Sequence, residues 1–171
     1  MKTLARVVGR GVLHQGEVSM QVTVRKATLD DGAALAGLRW RVTSEHPEYG
    51  ELDREAFVDS FVAWISEHLS THLPFIAEVD DELVGVAWLM IAERVPGPGQ
   101  PCRRCGDVQS VYVVPELRGT GIGAALLDAV LAEAGKLALE HVTVHSNDRA
   151  TPLYLRAGFE QDQRWLRWEP E

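Results

Sequence analysis

The sequence predicts a single-domain mixed α/β fold, with a central mixed and mostly antiparallel sheet flanked by helices on both faces. Three observations carry this expectation. Apolar residues alternate in short segments such as "QVTVRKA", where Val22 and Val24 share a face. They recur at helical spacing in others, as with Phe57, Phe61, Trp64 and Ile65. The two kinds of segment follow one another as βααβββαβαβ, and 171 residues suffice for one core.

The first strand, "QVTVRKA", leads into a helix that Asp30 or Asp31 can cap and that runs to about Val42. "SEHPEYGEL" reads as a loop, after which Asp53 caps a second helix. "PFIAEV" and "LVGVAWLMIAE" are strands joined by a tight hairpin at "DDE". "RVPGPGQPCRRCG" reads as a proline- and glycine-rich loop, and "DVQSVYVV" as the strand after it. A glycine-rich turn then opens a helix to about Leu139. "HVTVHS" is a strand, "RATPLYLRA" a short helix, and "GFEQDQRWLRWE" closes the chain as one or two strands. The folded domain spans residues 20–171. Residues 1–19 read as an N-terminal extension, either an upstream start or an added strand.

The formal charge of −8 argues against a nucleic-acid partner, which would want a basic face. No apolar run reaches the ~18 residues that span a membrane, and the start lacks the apolar stretch of a secretory signal. Two cysteines make no disulfide framework, which fits a reducing cytoplasm.

The stretch "VVPELRGTGIGAALLDAV" places Gly119, Gly121 and Gly123 at alternate positions before a helix. A phosphate loop of the form G-x-x-x-x-G-K-S/T is excluded, because no suitably placed lysine and hydroxyl follow. The stretch does satisfy G-x-G-x-x-G/A. However, "PELR" separates strand from glycine, no acidic residue ends the next strand, and 47 residues after Ala124 are too few for a dinucleotide-binding sheet. A plain loop is the remaining alternative, disfavoured by the entropy that three glycines cost on folding.

The same stretch resembles the acyl-CoA-binding segment of the GNAT superfamily of N-acyltransferases, whose pattern Q/R-x-x-G-x-G/A is matched by Arg118, Gly121 and Gly123. "NDRATPLYLRAGF" is similar to the family's later motif at Asn147, Ala150, Tyr154, Gly158 and Phe159, and "VTVRKATLDDGAALAGL" to its opening strand and helix. The resemblance covers roughly residues 20–168. It implies an N-acetyltransferase that moves an acetyl group from acetyl-CoA to a primary amine of a small molecule or peptide by direct attack. The contrasting class is a GNAT-like module that binds acyl-CoA without turnover. Unpaired N–H groups at a helix start, reached past glycines, suit the coenzyme's pyrophosphate even in an acidic protein.

By the same resemblance, Tyr154 takes the place of the general acid, and Val111 and Val113 offer main-chain groups to the pantetheine arm and the oxyanion. Arg118, Gly119, Thr120, Gly121, Ile122, Gly123 and Ala124 form the pyrophosphate loop, and Asn147 helps hold the coenzyme. Asp107 stands where some members carry a catalytic carboxylate, although an aspartate at a strand start is more often a solvated turn residue. Glu78 is a weaker candidate base. Acetyl-CoA is expected as acyl donor, with no metal; a homodimer is the expected assembly.

Cys102, Cys105, His141 and His145 mimic a zinc set in composition alone, since strand residues four apart lie ~13 Å from each other. Between Ser44 and Ser60 the acids Glu45, Glu48, Glu51, Asp53, Glu55 and Asp59 face a single Arg54. In GNAT folds this region walls the acceptor site, so Glu45, Glu48 and Glu51 are expected to attract a cationic amine.

Overall fold

The computed structural model describes residues 21–44 and 53–170. The extension 1–19 and the acidic trio Glu45, Glu48 and Glu51 lie outside the described residues. Five strands form one sheet in the order β1-β2-β3-β4-β5. They are β1 (Val22–Lys26), β2 (His72–Val79), β3 (Glu82–Arg94), β4 (Arg103–Val113) and β5 (Val142–Val144). All neighbours run antiparallel except β4 and β5, which are parallel and joined through a helical crossover. The helices are α1 (Gly32–Ser44), α2 (Arg54–His68), α3 (Ile122–Lys136) and α4 (Thr151–Arg156).

Side-chain alternation along β3 assigns the two faces of the sheet. Trp88 meets Phe61 of α2 edge to face at 6.1 Å. Gly85, of opposite parity, lies against Leu126 and Ile122 of α3. Helices therefore cover both faces, as the sequence predicts. Leu35, Ile65, Ile76, Leu89, Leu126, Leu127 and Val130 are essentially sealed from solvent between these layers. Burying a side chain of this size is worth about 1.5–3 kcal/mol.

Asp53 caps α2 as expected, accepting from the N–H groups of Glu55 at 3.0 Å and Ala56 at 3.2 Å. At the first helix the capping differs. Asp31 reaches back to the Thr28 N–H at 2.7 Å across a short 3-10 turn over Leu29–Asp31, and α1 follows it. Asp31 also shares Arg25 with Glu78, and the paired guanidinium holds the Asp31 carboxyl below its usual range.

Two predicted boundaries shift. The proline- and glycine-rich loop shrinks to residues 95–102, because β3 continues to Arg94 and β4 begins at Arg103. These arginines face each other across the ladder, and Glu140 accepts from both, which neutralises the like-charge pair. The C-terminal stretch forms no strand among the described residues. There the Asp162 carboxylate takes the Arg164 N–H at 2.9 Å and grips its guanidinium, a local turn that competes with sheet pairing.

Candidate active site

The site grows out of an irregularity in β4. Val86 pairs with Tyr112 but Trp88 pairs with Gln109, so β4 carries one extra residue against β3. Ser110 absorbs it with a φ of 50°, a left-handed conformation that non-glycine residues seldom hold. Arg39 of α1 donates to the Ser110 hydroxyl at 3.2 Å and pins the bulge.

On its other edge β4 pairs with β5 only at Gly106–Val142, Asp107–Thr143 and Val108–Val144. Beyond Val108 the two strands part, and β4 runs on to Val113 with no strand partner on that side among the described residues. The Val114 N–H donates to Val84 of β3 at 2.9 Å. By alternation the main-chain groups of Val113 and Val111 turn to the open edge. The Val113 carbonyl there already accepts from Arg118 Nε at 2.9 Å. The Arg118 guanidinium also lies 5.4 Å from the Tyr112 ring centroid.

The open edge forms one wall of a cleft of about 610 Å³. Its floor is the turn into α3. Gly119 and Gly121 have φ values of 80° and 88°, and a Cβ built on either meets nothing within 4 Å. Gly123 is different. It lies inside α3, where a Cβ would make an ordinary contact with Leu153 of α4 at 3.6 Å. Gly119, Gly121, Gly123, Ala124, Arg118, Val111, Val113 and Asn147 all line this cleft.

Thr120 and Ile122 do not line it. The Thr120 hydroxyl donates to the Leu117 carbonyl at 2.7 Å, stabilising the turn, and the Ile122 side chain is buried in the core. Asn147 also caps the turn into α4, its Oδ1 accepting from the Ala150 N–H at 3.0 Å.

Tyr154 and Asp107 share a second, neighbouring cleft of about 520 Å³, which runs along β5. Tyr154 is buried, its ring 5.6 Å edge-on from Phe159, and burial raises its pKa above the ordinary 10.0. Asp107 does not open its strand; it is the fifth residue of β4, since the strand starts earlier than its composition suggests. Its Oδ1 accepts from the Thr143 hydroxyl at 2.8 Å. Glu78 lines neither cleft, and Arg25 binds both of its oxygens at 3.1 and 2.6 Å.

Sequence reasoning missed Thr143 and Ser146 beside Asp107, and Arg149, Leu153 and Arg156 on the α4 wall. No local signal marks Thr143, whose role comes from strand pairing. Arg149 lies in the turn before α4 and Arg156 is its last residue. Cys102 and Cys105 are free thiols, and among the described residues no three His, Cys, Asp or Glu side chains come together to hold a metal. Nor is any described helix long and apolar enough to cross a membrane.

Comparison with known proteins gives a consistent result. A profile described as the acetyltransferase (GNAT) family matches residues 36–159. The chain is 31% identical over 157 residues to a mycothiol acetyltransferase of Thermobispora bispora, covering 83% of this chain and 47% of that protein. It is 34% identical over 145 residues to one from Streptomyces griseus, covering 81% and 43%. The chain thus spans less than half the length of these curated relatives. Among solved structures, a "predicted acetyltransferase with acetyl-CoA" from Clostridium acetobutylicum superposes with a TM-score of 0.71 at 21% identity, over 87% of this chain and 96% of that one. A GCN5-related N-acetyltransferase from Ralstonia eutropha gives 0.64 at 24%, over 86% and 98%. At these identities the structural likeness bears on fold.

Proposed function

The chain belongs to the acetyltransferase (GNAT) family, and from that premise we propose that it transfers an acetyl group from acetyl-CoA to a primary amine. One observation carries the reading: a left-handed glycine turn at a helix start forms the floor of a cleft, one wall of which is a strand edge with no strand partner among the described residues. The volume of about 610 Å³ lies within the range of small-molecule and cofactor sites.

In this reading the pyrophosphate rests on the amides around Gly121 and Gly123, favoured by the positive end of α3. The pantetheine arm lies along the open edge of β4 and bonds its main chain as a further strand would. The Val111 N–H serves as donor to the thioester oxygen, whose charge grows as the tetrahedral intermediate forms.

An acceptor that arrives as an ammonium first releases one proton to solvent, and the neutral amine nitrogen then attacks the carbonyl carbon. A C–N bond forms, the C–S bond breaks, and the amine loses a proton while the thiolate gains one. Asp107, oriented by Thr143, receives the first proton directly or through water. Tyr154 supplies the second: burial keeps its hydroxyl protonated at neutral pH, which an acid requires. Glu45, Glu48 and Glu51 draw a protonated amine toward the site, giving a cationic acceptor.

The test is release of free thiol from acetyl-CoA with a panel of acceptors. The panel holds polyamines, an aminoglycoside, a lysine peptide, a neutral aryl amine and, because of the named relatives, mycothiol lacking its acetyl group. Turnover with a cationic amine is expected. Coenzyme binding without turnover on any acceptor would assign the chain to the non-catalytic acyl-CoA-binding class.

A further inference from the structure

The glycine-turn cleft concentrates positive charge in a protein of net charge −8. Arg118 already bonds Val113 and lies over Tyr112. Arg149 and Arg156 are committed to nothing of that kind. Both are exposed, both line the α4 wall, and neither forms an ion pair or hydrogen bond with another described residue. Asp148 and Glu160, their acidic neighbours in sequence, leave them unpaired.

We propose that Arg149 and Arg156 bind the 3′-phosphomonoester of coenzyme A and make the cleft select the phosphorylated coenzyme over its dephospho form. This rests on the acyl-CoA reading of the cleft. That reading gives the pyrophosphate to main-chain amides and the start of α3, which leaves two guanidinium groups on the facing wall without a task. Coenzyme A carries one further anion. A phosphomonoester holds about −1.5 to −2 charges at pH 7 and offers three acceptor oxygens. Guanidinium groups are suited to it, because their planar forks bind phosphate in pairs of parallel hydrogen bonds. Placing both cations in this one cleft also offsets the repulsion that an acidic protein exerts on a polyanion.

Calorimetric titration of coenzyme A and dephospho-coenzyme A tests the assignment on the full chain and on Arg149→Gln/Arg156→Gln. Both arginines are exposed, so folding should survive, and a cooperative thermal melt checks it. Lys136→Gln/Arg164→Gln removes the same charge from exposed positions outside the cleft.

The parent should prefer coenzyme A by about tenfold or more, as expected for a charge-assisted contact. The cleft variant should lose that preference to within about twofold, while the control keeps it. Preference should also weaken below about pH 6, where the phosphate dianion takes up a proton. Equal binding of the two coenzymes by the parent, or an undiminished preference in the cleft variant, overturns this assignment and leaves the acyl-CoA reading standing. Binding of neither coenzyme by the parent overturns both.

Discussion

Tyr154 and Gly121 carry most of the chemistry proposed here, and each makes a distinct demand on experiment. Tyr154→Phe removes one hydroxyl from a buried ring that otherwise keeps its packing against Phe159. Turnover should fall with little change in acetyl-CoA affinity, because the proton is needed only as thiolate charge develops. A rate within a factor of ~2 of the parent would limit the contribution to under ~0.4 kcal/mol and remove the acid role. The same substitution has a stability signature. Burial raises the folded-state pKa of Tyr154, so its neutral form is favoured in the native protein. That contribution is complete below the ordinary value of 10.0 and disappears as pH climbs through the raised one. Thermal melts from about pH 8 to 11 should therefore show the parent losing stability faster than Tyr154→Phe above pH 10. Gly121→Glu acts differently. Its φ of 88° costs any other residue about 1–2 kcal/mol, which a core of this size tolerates. The new side chain projects into open cleft, and its carboxylate takes the place of the anion at the start of α3. The variant should melt cooperatively yet show no measurable coenzyme A binding by calorimetry; unchanged affinity would remove the pyrophosphate assignment.

At the scale of elements, the local signals were legible and the pairwise ones were not. Alternation found β1 to β5, helical spacing found α2 and α3, and the three glycines marked the turn into α3. These patterns belong to single segments. The extents of β3 and β4 depend on Glu140 answering two arginines that face each other, and Glu140 lies far along the chain from both. The place of Asp107 inside β4 depends on the same extension. The parting of β4 from β5, which creates the cleft, follows from where pairing stops, and no residue announces it. The expected C-terminal strand met a local competitor in the Asp162–Arg164 turn, where the carboxyl is held down to about 2 by the arginine. Close approach of elements also separates glycines that look alike in sequence. A Cβ on Gly85 would stand 3.0 Å from the Tyr112 carbonyl oxygen, a backbone atom held in the sheet. A Cβ on Gly106 would meet side-chain methyls instead, those of Leu89 and Leu139 at 2.9 and 3.0 Å and of Val142 at 3.4 Å, and the leucine ends can rotate aside. Gly85→Ala should therefore destabilise by about 1–3 kcal/mol in denaturant unfolding, and Gly106→Ala by less. The reverse order would mean that β3 and β4 shift apart more readily than the leucines repack.

For the molecule as a whole, the question is how much chain the fold needs. Every buried core residue among those described lies between Val24 and Tyr154, and among the described strands β1 pairs with β2 alone. The described lining of the glycine-turn cleft comes from residues 111–156. Deleting residues 1–19 should then leave a cooperatively folding protein. A loss under about 1 kcal/mol corresponds to a Tm shift of about 2–4 °C at this chain length. Affinity for coenzyme A should stay within about twofold, since no proposed ligand group is removed. A larger fall in Tm with unchanged affinity would identify the extension as a support for the sheet. A fall in Tm that depends on protein concentration in the full chain, but not in the truncated one, would instead identify it as a contact between copies, because only association couples melting to concentration. Differential scanning calorimetry at two concentrations, with coenzyme titrations on both proteins, separates these outcomes.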